Sequence, residues 1–173
     1  MNAGTRAYIG FGANMPFNGV SGSELLAQAL AALQAAGFTP LAVSSVWQTA
    51  AWPPSDQPDY YNAVVAIDTG GLSPQALWQA LREIELSFGR ERRERWAART
   101  LDLDIVAMDG AIGRFGDITL PHPRMQGRAF VLAPLAEIAP DWRHPASGLT
   151  AAELLKSVPA EQRHRRLARL GGR

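Results

Sequence analysis

The run Arg99-Thr100-Leu101-Asp102-Leu103-Asp104-Ile105-Val106 constrains this chain more than any other segment. In a strand successive side chains alternate, so Leu101, Leu103 and Ile105 share one face while Asp102 and Asp104 share the other, about 6.6 Å apart along the strand. One face belongs to a core and the other holds two carboxylates directed at one point. Like charges so placed repel unless a cation lies between them, and a hard divalent ion that keeps some waters and takes phosphate oxygens suits the arrangement. Magnesium is the natural candidate. For a bare Asp-x-Asp, a half-exposed strand with a solvated polar face is the commoner reading. The arginines at positions 90, 92, 93, 95 and 99 favour the ion, because metal ligands beside arginine clamps are the usual apparatus of phosphoryl transfer.

The rest of the chain must supply a core for such a strand. At 173 residues and 18.7 kDa it is long enough to bury one core and too short for two large domains, so residues 1–173 are expected to form a single domain. Hydrophobic residues at 47% and charged residues at 19% exclude a disordered or fibrous chain. No run is long and apolar enough to span a membrane, and Met1 to Gly10 lacks the character of a signal peptide, so a cytoplasmic location is expected. With no cysteine, disulfides, thiol nucleophiles and cysteine-held metals are excluded, and any metal must use oxygen or imidazole ligands. A net charge of +1 argues against an extended nucleic-acid surface. Of 17 basic residues only Lys156 is lysine. The arginines crowd into 90–99 and into 163–173, the second group reading as part of a solvated basic tail over residues 161–173.

Along the chain, Ala7 to Phe11 reads as a strand followed by a turn-rich loop through Gly19. A helix capped by Ser21 or Ser23 carries Leu25, Leu26, Ala29, Leu30 and Leu33 on one face and stops at Gly37. Leu41 to Thr49 and Tyr61 to Ile67 read as strands joined by a proline-rich connector, Trp52 to Asp59. Ser73-Pro74 starts a second helix whose buried stripe is Leu77, Leu81, Ile84 and Phe88, with Trp78, Arg82 and Glu85 alongside. A strand at Leu101 to Met108, an extended piece at Ile118 to Met125, a helix at Gln126 to Ile138 and a short helix near Ala151 to Lys156 complete the reading.

Two further groups bear on chemistry. Trp52, Tyr60, Tyr61 and Asn62, with Trp96 and Phe130, can sandwich a flat heterocycle while Asn62 offers a donor and an acceptor to its polar edge; equally, such rings cap cores. His122, held between Pro121 and Pro123, lacks an evident carboxylate partner for general-base work but can donate to phosphate or ribose. His144 and His164 receive no role. Gly10-Phe11-Gly12 follows a strand, yet Met15 stands where a dinucleotide fingerprint needs glycine and no P-loop occurs, so side chains must hold any phosphate.

The runs Tyr8 to Asn14, Asp56 to Ala63, Glu94 to Ile105 and Leu120 to Met125 together strongly resemble the 6-hydroxymethyl-7,8-dihydropterin pyrophosphokinase family of folate biosynthesis, in order from about Tyr8 to Pro140. The resemblance implies an α+β fold with a ferredoxin-like core, a central, mostly antiparallel sheet flanked by helices. It implies transfer of the β,γ-diphosphate of ATP to the pterin hydroxymethyl group with release of AMP. Asp102 and Asp104 would hold two magnesium ions, and Arg90, Arg92 and Arg99 would lie in or beside a loop closing on the phosphates. The pterin contacts would be Thr49, Trp52, Tyr60, Asn62, Trp96 and Phe130. Those to ATP would be Arg82, Glu85, Arg92, Arg99, Ile105, Thr119, His122 and Arg128, with Arg90, Arg99 and the two aspartates catalytic. The expected partners are ATP and the pterin, with no nucleic acid or membrane, and the expected state is a monomer. The chain departs from the family's usual pattern at Ala13, Ala50, Ala51 and Arg82, and its loop from Gly89 to Arg99 is one residue shorter. Another magnesium-dependent nucleotidyl or phosphoryl transferase is the closest rival reading, and an RNA-binding module the next.

Overall fold

The structure, a computed structural model, describes residues 4–51, 54–89, 100–162 and 164–172. Its elements in order are β1 (Arg6–Ala13), α1 (Gly22–Ala35), β2 (Thr39–Val43), β3 (Ser45–Thr49), β4 (Tyr60–Asp68), α2 (Pro74–Ser87), β5 (Asp102–Met108), β6 (Gly113–Phe115), β7 (Ile118–Leu120), α3 (Ala129–Ile138), α4 (Ala151–Lys156) and β8 (His164–Arg169). Every pairing is antiparallel. The main sheet runs β5-β1-β4-β3-β8, with β2 joining β4 beyond the end of β3. The α+β architecture with a helix-flanked sheet is as expected.

Alternation along β1, β4 and β5 sorts the molecule into two layers. Ile9 and Phe11 of β1, Val65 and Ile67 of β4, and Leu103 and Ile105 of β5 bury against Leu25, Leu26, Leu33, Leu77 and Leu81 of α1 and α2. On the opposite face Tyr8, Val64, Ala66 and Val106 pack against Leu132 and Leu135 of α3 and Leu154 of α4. The helix starts follow their sequence signals. The Ser73 hydroxyl accepts the Ala76 N–H at 3.2 Å ahead of Pro74, and Thr150 with Glu153 forms a reciprocal capping box. Ser21 stands at the α1 cap position without a side-chain cap bond. Gly37, at φ +99, ends α1 in the left-handed conformation that favours glycine.

Three expectations are corrected. Leu41 to Thr49 is two strands, β2 and β3, because Ser44 interrupts the run: its hydroxyl accepts the Val64 N–H at 2.9 Å and donates to Ser45 O at 2.7 Å. The 126–138 helix is a 3-10 turn, Met125–Gly127, followed by α3 from Ala129. The arginine-rich C-terminal end is not a solvated tail. Residues 164–169 form β8, paired with β3 from Thr49↔His164 to Ser45↔Arg169, and Leu167 and Leu170 sink into the α1 side of the core. Leu167 within β8 and Leu170 just beyond it supply burial that the neighbouring arginines conceal.

Candidate active site

Where α3 and α4 stop covering their face of the sheet, a cleft of about 440 Å³, including its open mouth, is left over β1, β4 and β5. Its floor is a strip free of side chains. Gly10 and Gly12 occupy successive positions on this face of β1, and a Cβ on Gly12 would come within 3.0 Å of Asn62 Oδ1, one on Gly10 within 3.3 Å of the Val106 side chain. The Gly-x-Gly pair, which fails as a dinucleotide fingerprint, serves here as room between β4 and β5. Period-two spacing with the aspartates was the signal that could have found it.

Around that strip the cleft gathers Asn62 from β4, Asp102 and Asp104 from β5, His122 and Arg128 from the segment before α3, and Phe130 from its first turn. Asp102 and Asp104 do share a face, with Val106 next along it, while Leu103 and Ile105 belong to the core beneath. The Ile105 side chain is thus turned into the core, away from the lining of the cleft.

The electrostatics of the cleft follow from burial and sign. The His122 Nδ1 accepts the Arg124 N–H at 3.2 Å. Burial, aided by Arg128 and Arg124 and opposed by Asp102, holds its pKa below the ordinary 6.5. A neutral ring with Nδ1 accepting carries its proton on Nε2 and remains a donor. The Arg128 pKa is lowered by burial and Arg124 and supported by Asp104 and Asp102; the guanidinium lies 5.3 Å from the Phe130 ring centroid, within cation-π range.

Other expected residues lie beside the cleft. Asn62 Nδ2 donates to the buried Thr49 hydroxyl at 3.0 Å, which orients the amide whose partner strand is β3. The Tyr60 hydroxyl donates to Gln57 Oε1 at 3.4 Å, and Asn14 Nδ2 reaches the same oxygen at 3.1 Å; neither Gln57 nor Asn14 was singled out by the sequence. Tyr61 faces the other way, its ring against Gly22 and the α1 core. Thr119 sits on β7, exposed.

Glu85 is 1% exposed. Its carboxylate accepts the Leu103 N–H at 3.2 Å and pairs with Arg82 at 3.4 Å, and Arg82 stacks 4.6 Å above Trp78. Glu85 thus links α2 to β5, while Arg82 is engaged with Glu85 and Trp78 on its own helix, and neither lines the cleft. Trp52, Arg90, Arg92, Trp96 and Arg99 lie outside the described residues.

The donor set fits a hard divalent cation: two carboxylates on one strand face. Among the described residues no group of three or more histidine, aspartate or glutamate side chains is placed to hold a metal ion. The two aspartates would leave the remaining coordination positions to water and phosphate oxygens, as magnesium prefers. No helix among the described residues is long and apolar enough to cross a membrane.

Acidic, basic and aromatic groups converge on this one cleft. The comparison with known proteins is in accord. The family model described as 7,8-dihydro-6-hydroxymethylpterin-pyrophosphokinase matches residues 8–140. Proteins named 2-amino-4-hydroxy-6-hydroxymethyldihydropteridine pyrophosphokinase are similar to this chain. That of Synechocystis is 48% identical over 115 residues, 66% of this chain and 58% of that protein. That of Pseudomonas aeruginosa is 41% identical over 160 residues, 90% and 93% of the two chains. Among solved structures, wild-type Plasmodium falciparum HPPK-DHPS aligns with a TM-score of 0.67 at 12% identity, over 90% of this chain and 45% of that one; at that identity the likeness speaks for the fold. The chain belongs to the 7,8-dihydro-6-hydroxymethylpterin-pyrophosphokinase family. It is an enzyme, a diphosphotransferase of folate biosynthesis.

Proposed function

We propose that this chain transfers the β,γ-diphosphate of ATP to the hydroxymethyl oxygen of 6-hydroxymethyl-7,8-dihydropterin, giving the pterin diphosphate and AMP. The observation that carries the reading is the single cleft that holds Asp102, Asp104, His122, Arg128 and Phe130 together. A new bond forms between the hydroxymethyl oxygen and the β-phosphorus, and the bond from that phosphorus to the AMP oxygen breaks. The hydroxyl proton passes to solvent, and AMP carries away the electron pair of the broken bond.

Asp102 and Asp104 would hold magnesium, which when bound would supply charge neutralisation at the phosphates and a lowered pKa for the attacking hydroxyl. The chain's own groups position and exclude. Arg128 offers a fixed fork of donors to the triphosphate, and the His122 Nε2–H donates to phosphate without adding a charge that must be desolvated. Phe130 and Tyr60 stack on the pterin from opposite sides, and Asn62, held by Thr49, reads its amide edge. Arg90, Arg92, Arg99 and Trp96, by family resemblance, close over the phosphates and keep water from hydrolysing ATP. The working unit is proposed to be a monomer, and the reaction suits the cytoplasm, where ATP is supplied.

Calorimetric titration with a non-hydrolysable ATP analogue and magnesium, with and without a pterin, tests the reading. A saturable pterin site that tightens when nucleotide and metal are present is expected. Nucleotide binding without any pterin site would leave a different magnesium-dependent transferase as the better description.

A further inference from the structure

Gln162 belongs to the C-terminal segment that the sequence offered no purpose for, and it reaches back across the fold to the cleft. Its side-chain Nε2 donates to the Gly127 carbonyl at 2.7 Å, and its Oε1 accepts the Ala129 N–H at 3.0 Å. A primary amide presents donor and acceptor side by side, as a peptide group does, so one side chain satisfies both backbone groups that flank Arg128. The N–H it accepts is one that the first turn of α3 leaves without an intrahelical partner, and Arg128, at the cap position, supplies no side-chain cap of its own.

The bracketed residue and its neighbour are both site residues. Arg128 precedes the helix and Phe130 follows one residue into it, so the orientation of the two peptide units sets where the guanidinium and the ring stand in the cleft. Two residues beyond Gln162 the same segment enters β8, where His164 pairs with Thr49, the residue whose hydroxyl holds Asn62. One short stretch of chain therefore touches both walls: the Arg128 and Phe130 wall through a side chain, the Asn62 wall through the sheet.

We propose that Gln162 is a positioning residue of the active site, its amide clamping the backbone on either side of Arg128 so that the cationic and aromatic groups are presented in register with the Asn62 wall. The proposal rests on the functional reading above for what those groups bind. It gives the C-terminal segment a task that the charge of its arginines does not suggest.

The test is Gln162→Ala in the full chain, with thermal melting to verify folding and calorimetry to measure ATP-analogue and pterin affinity beside steady-state kinetics. Both affinities are expected to weaken by about five- to tenfold, the scale of a lost pair of hydrogen bonds, while kcat changes less than about threefold. In an Arg128→Ala background Gln162→Ala should weaken ATP-analogue binding no further, because residues acting through one another are not additive. Full additivity, or a lower melting temperature with both affinities unchanged, would overturn the proposal and leave a helix cap. Should Gln162→Ala fail to fold, Gln162→Glu carries the same cycle: it keeps an acceptor for Ala129 and opposes the Gly127 carbonyl with a second one, so weakened affinity is again expected. If the unaltered protein binds no pterin, the functional reading fails, and the nucleotide arm still decides whether Gln162 acts through Arg128.

Discussion

The two faces of the central sheet are built from alternate residues of the same strands and have opposite tasks. On the α1 and α2 face every position of β1, β4 and β5 is filled: Ile9, Phe11, Val65, Ile67, Leu103 and Ile105 are each no more than 4% exposed. On the α3 and α4 face the same strands begin with packed residues, Tyr8, Val64 and Val106, then run out into glycine, amide and carboxylate around the cleft. Strand alternation lets one element carry both programmes, because a change on one face leaves the other's contacts largely in place. Stability resides on the closed face and chemistry on the open one.

The sharpest way to test that division is at β5, where neighbours in sequence point to opposite faces. Asp102→Ala or Asp104→Ala should reduce diphosphate transfer by at least about a thousandfold, since each removes a ligand that stabilises charge worth several kcal/mol in the transition state. Stability should hold or rise as carboxylate repulsion is relieved. Near-normal turnover at limiting magnesium, measured as AMP release, would sink the metal assignment. Leu103→Ala, one residue away and 3% exposed, should do the reverse. Its loss leaves a cavity beneath α2 and should cost about 2 to 5 kcal/mol in urea unfolding, with kcat at saturating substrate in the folded protein nearly unchanged. A Leu103→Ala protein that melts normally but turns over slowly would erase the distinction between the faces.

Phe130→Ala probes the rim where the open face meets α3. Pterin affinity should fall by about 1 to 3 kcal/mol, the burial and geometric contribution of one stacked ring, while ATP-analogue affinity is held by Arg128. Combined with Tyr60→Ala, the losses should depart from additivity if both rings clamp one ligand. Unchanged pterin binding in calorimetry, with an ATP analogue present, would return Phe130 to an ordinary packing role.

The closed face was readable from the sequence and the open one only in part. Apolar periodicity found the stripes of α1 and α2, and Leu-Asp-Leu-Asp alternation placed both faces of β5, because local spacing alone determines such patterns. The break at Ser44 escaped notice, since it depends on a hydroxyl bond to Val64, 20 residues away. β8 was hidden because its pairing partner lies more than 100 residues earlier and its one leucine, the partly buried Leu167, is set among arginines. Glu85 read as a polar group beside the site, and that its carboxylate also accepts the Leu103 N–H is revealed only by the crossing of α2 over β5. Gly10 and Gly12 were visible, but their meaning required knowing that Asn62 and Val106 approach them from both sides.

The smallest expected effect also separates the two faces, this time by pH. All histidines lie outside the α1 and α2 core, and His144 sits 6% exposed in the turn between α3 and α4. There its Nδ1 accepts the Ala146 N–H at 3.1 Å, and its Nε2 lies 3.2 Å from the Gln126 side-chain amide. Burial lowers its pKa below the ordinary 6.5. The folded state therefore binds fewer protons than the unfolded chain at pH values between the lowered pKa and about 6.5, and stability rises with pH across that window. The contribution of neutral His144 is fully present above 6.5 and is lost as acid is added. Replacing His144 by Asn, which retains an acceptor near the Nδ1 position, should flatten that part of the stability curve. Hydrogen exchange at several pH values should place the acid loosening in α3 and α4 first, with α1 and α2 amides protected to lower pH. Equal loosening of both layers would show that the acid response belongs to the whole fold and not to the face that carries the site, and an unaltered curve in His144→Asn would take the response away from His144.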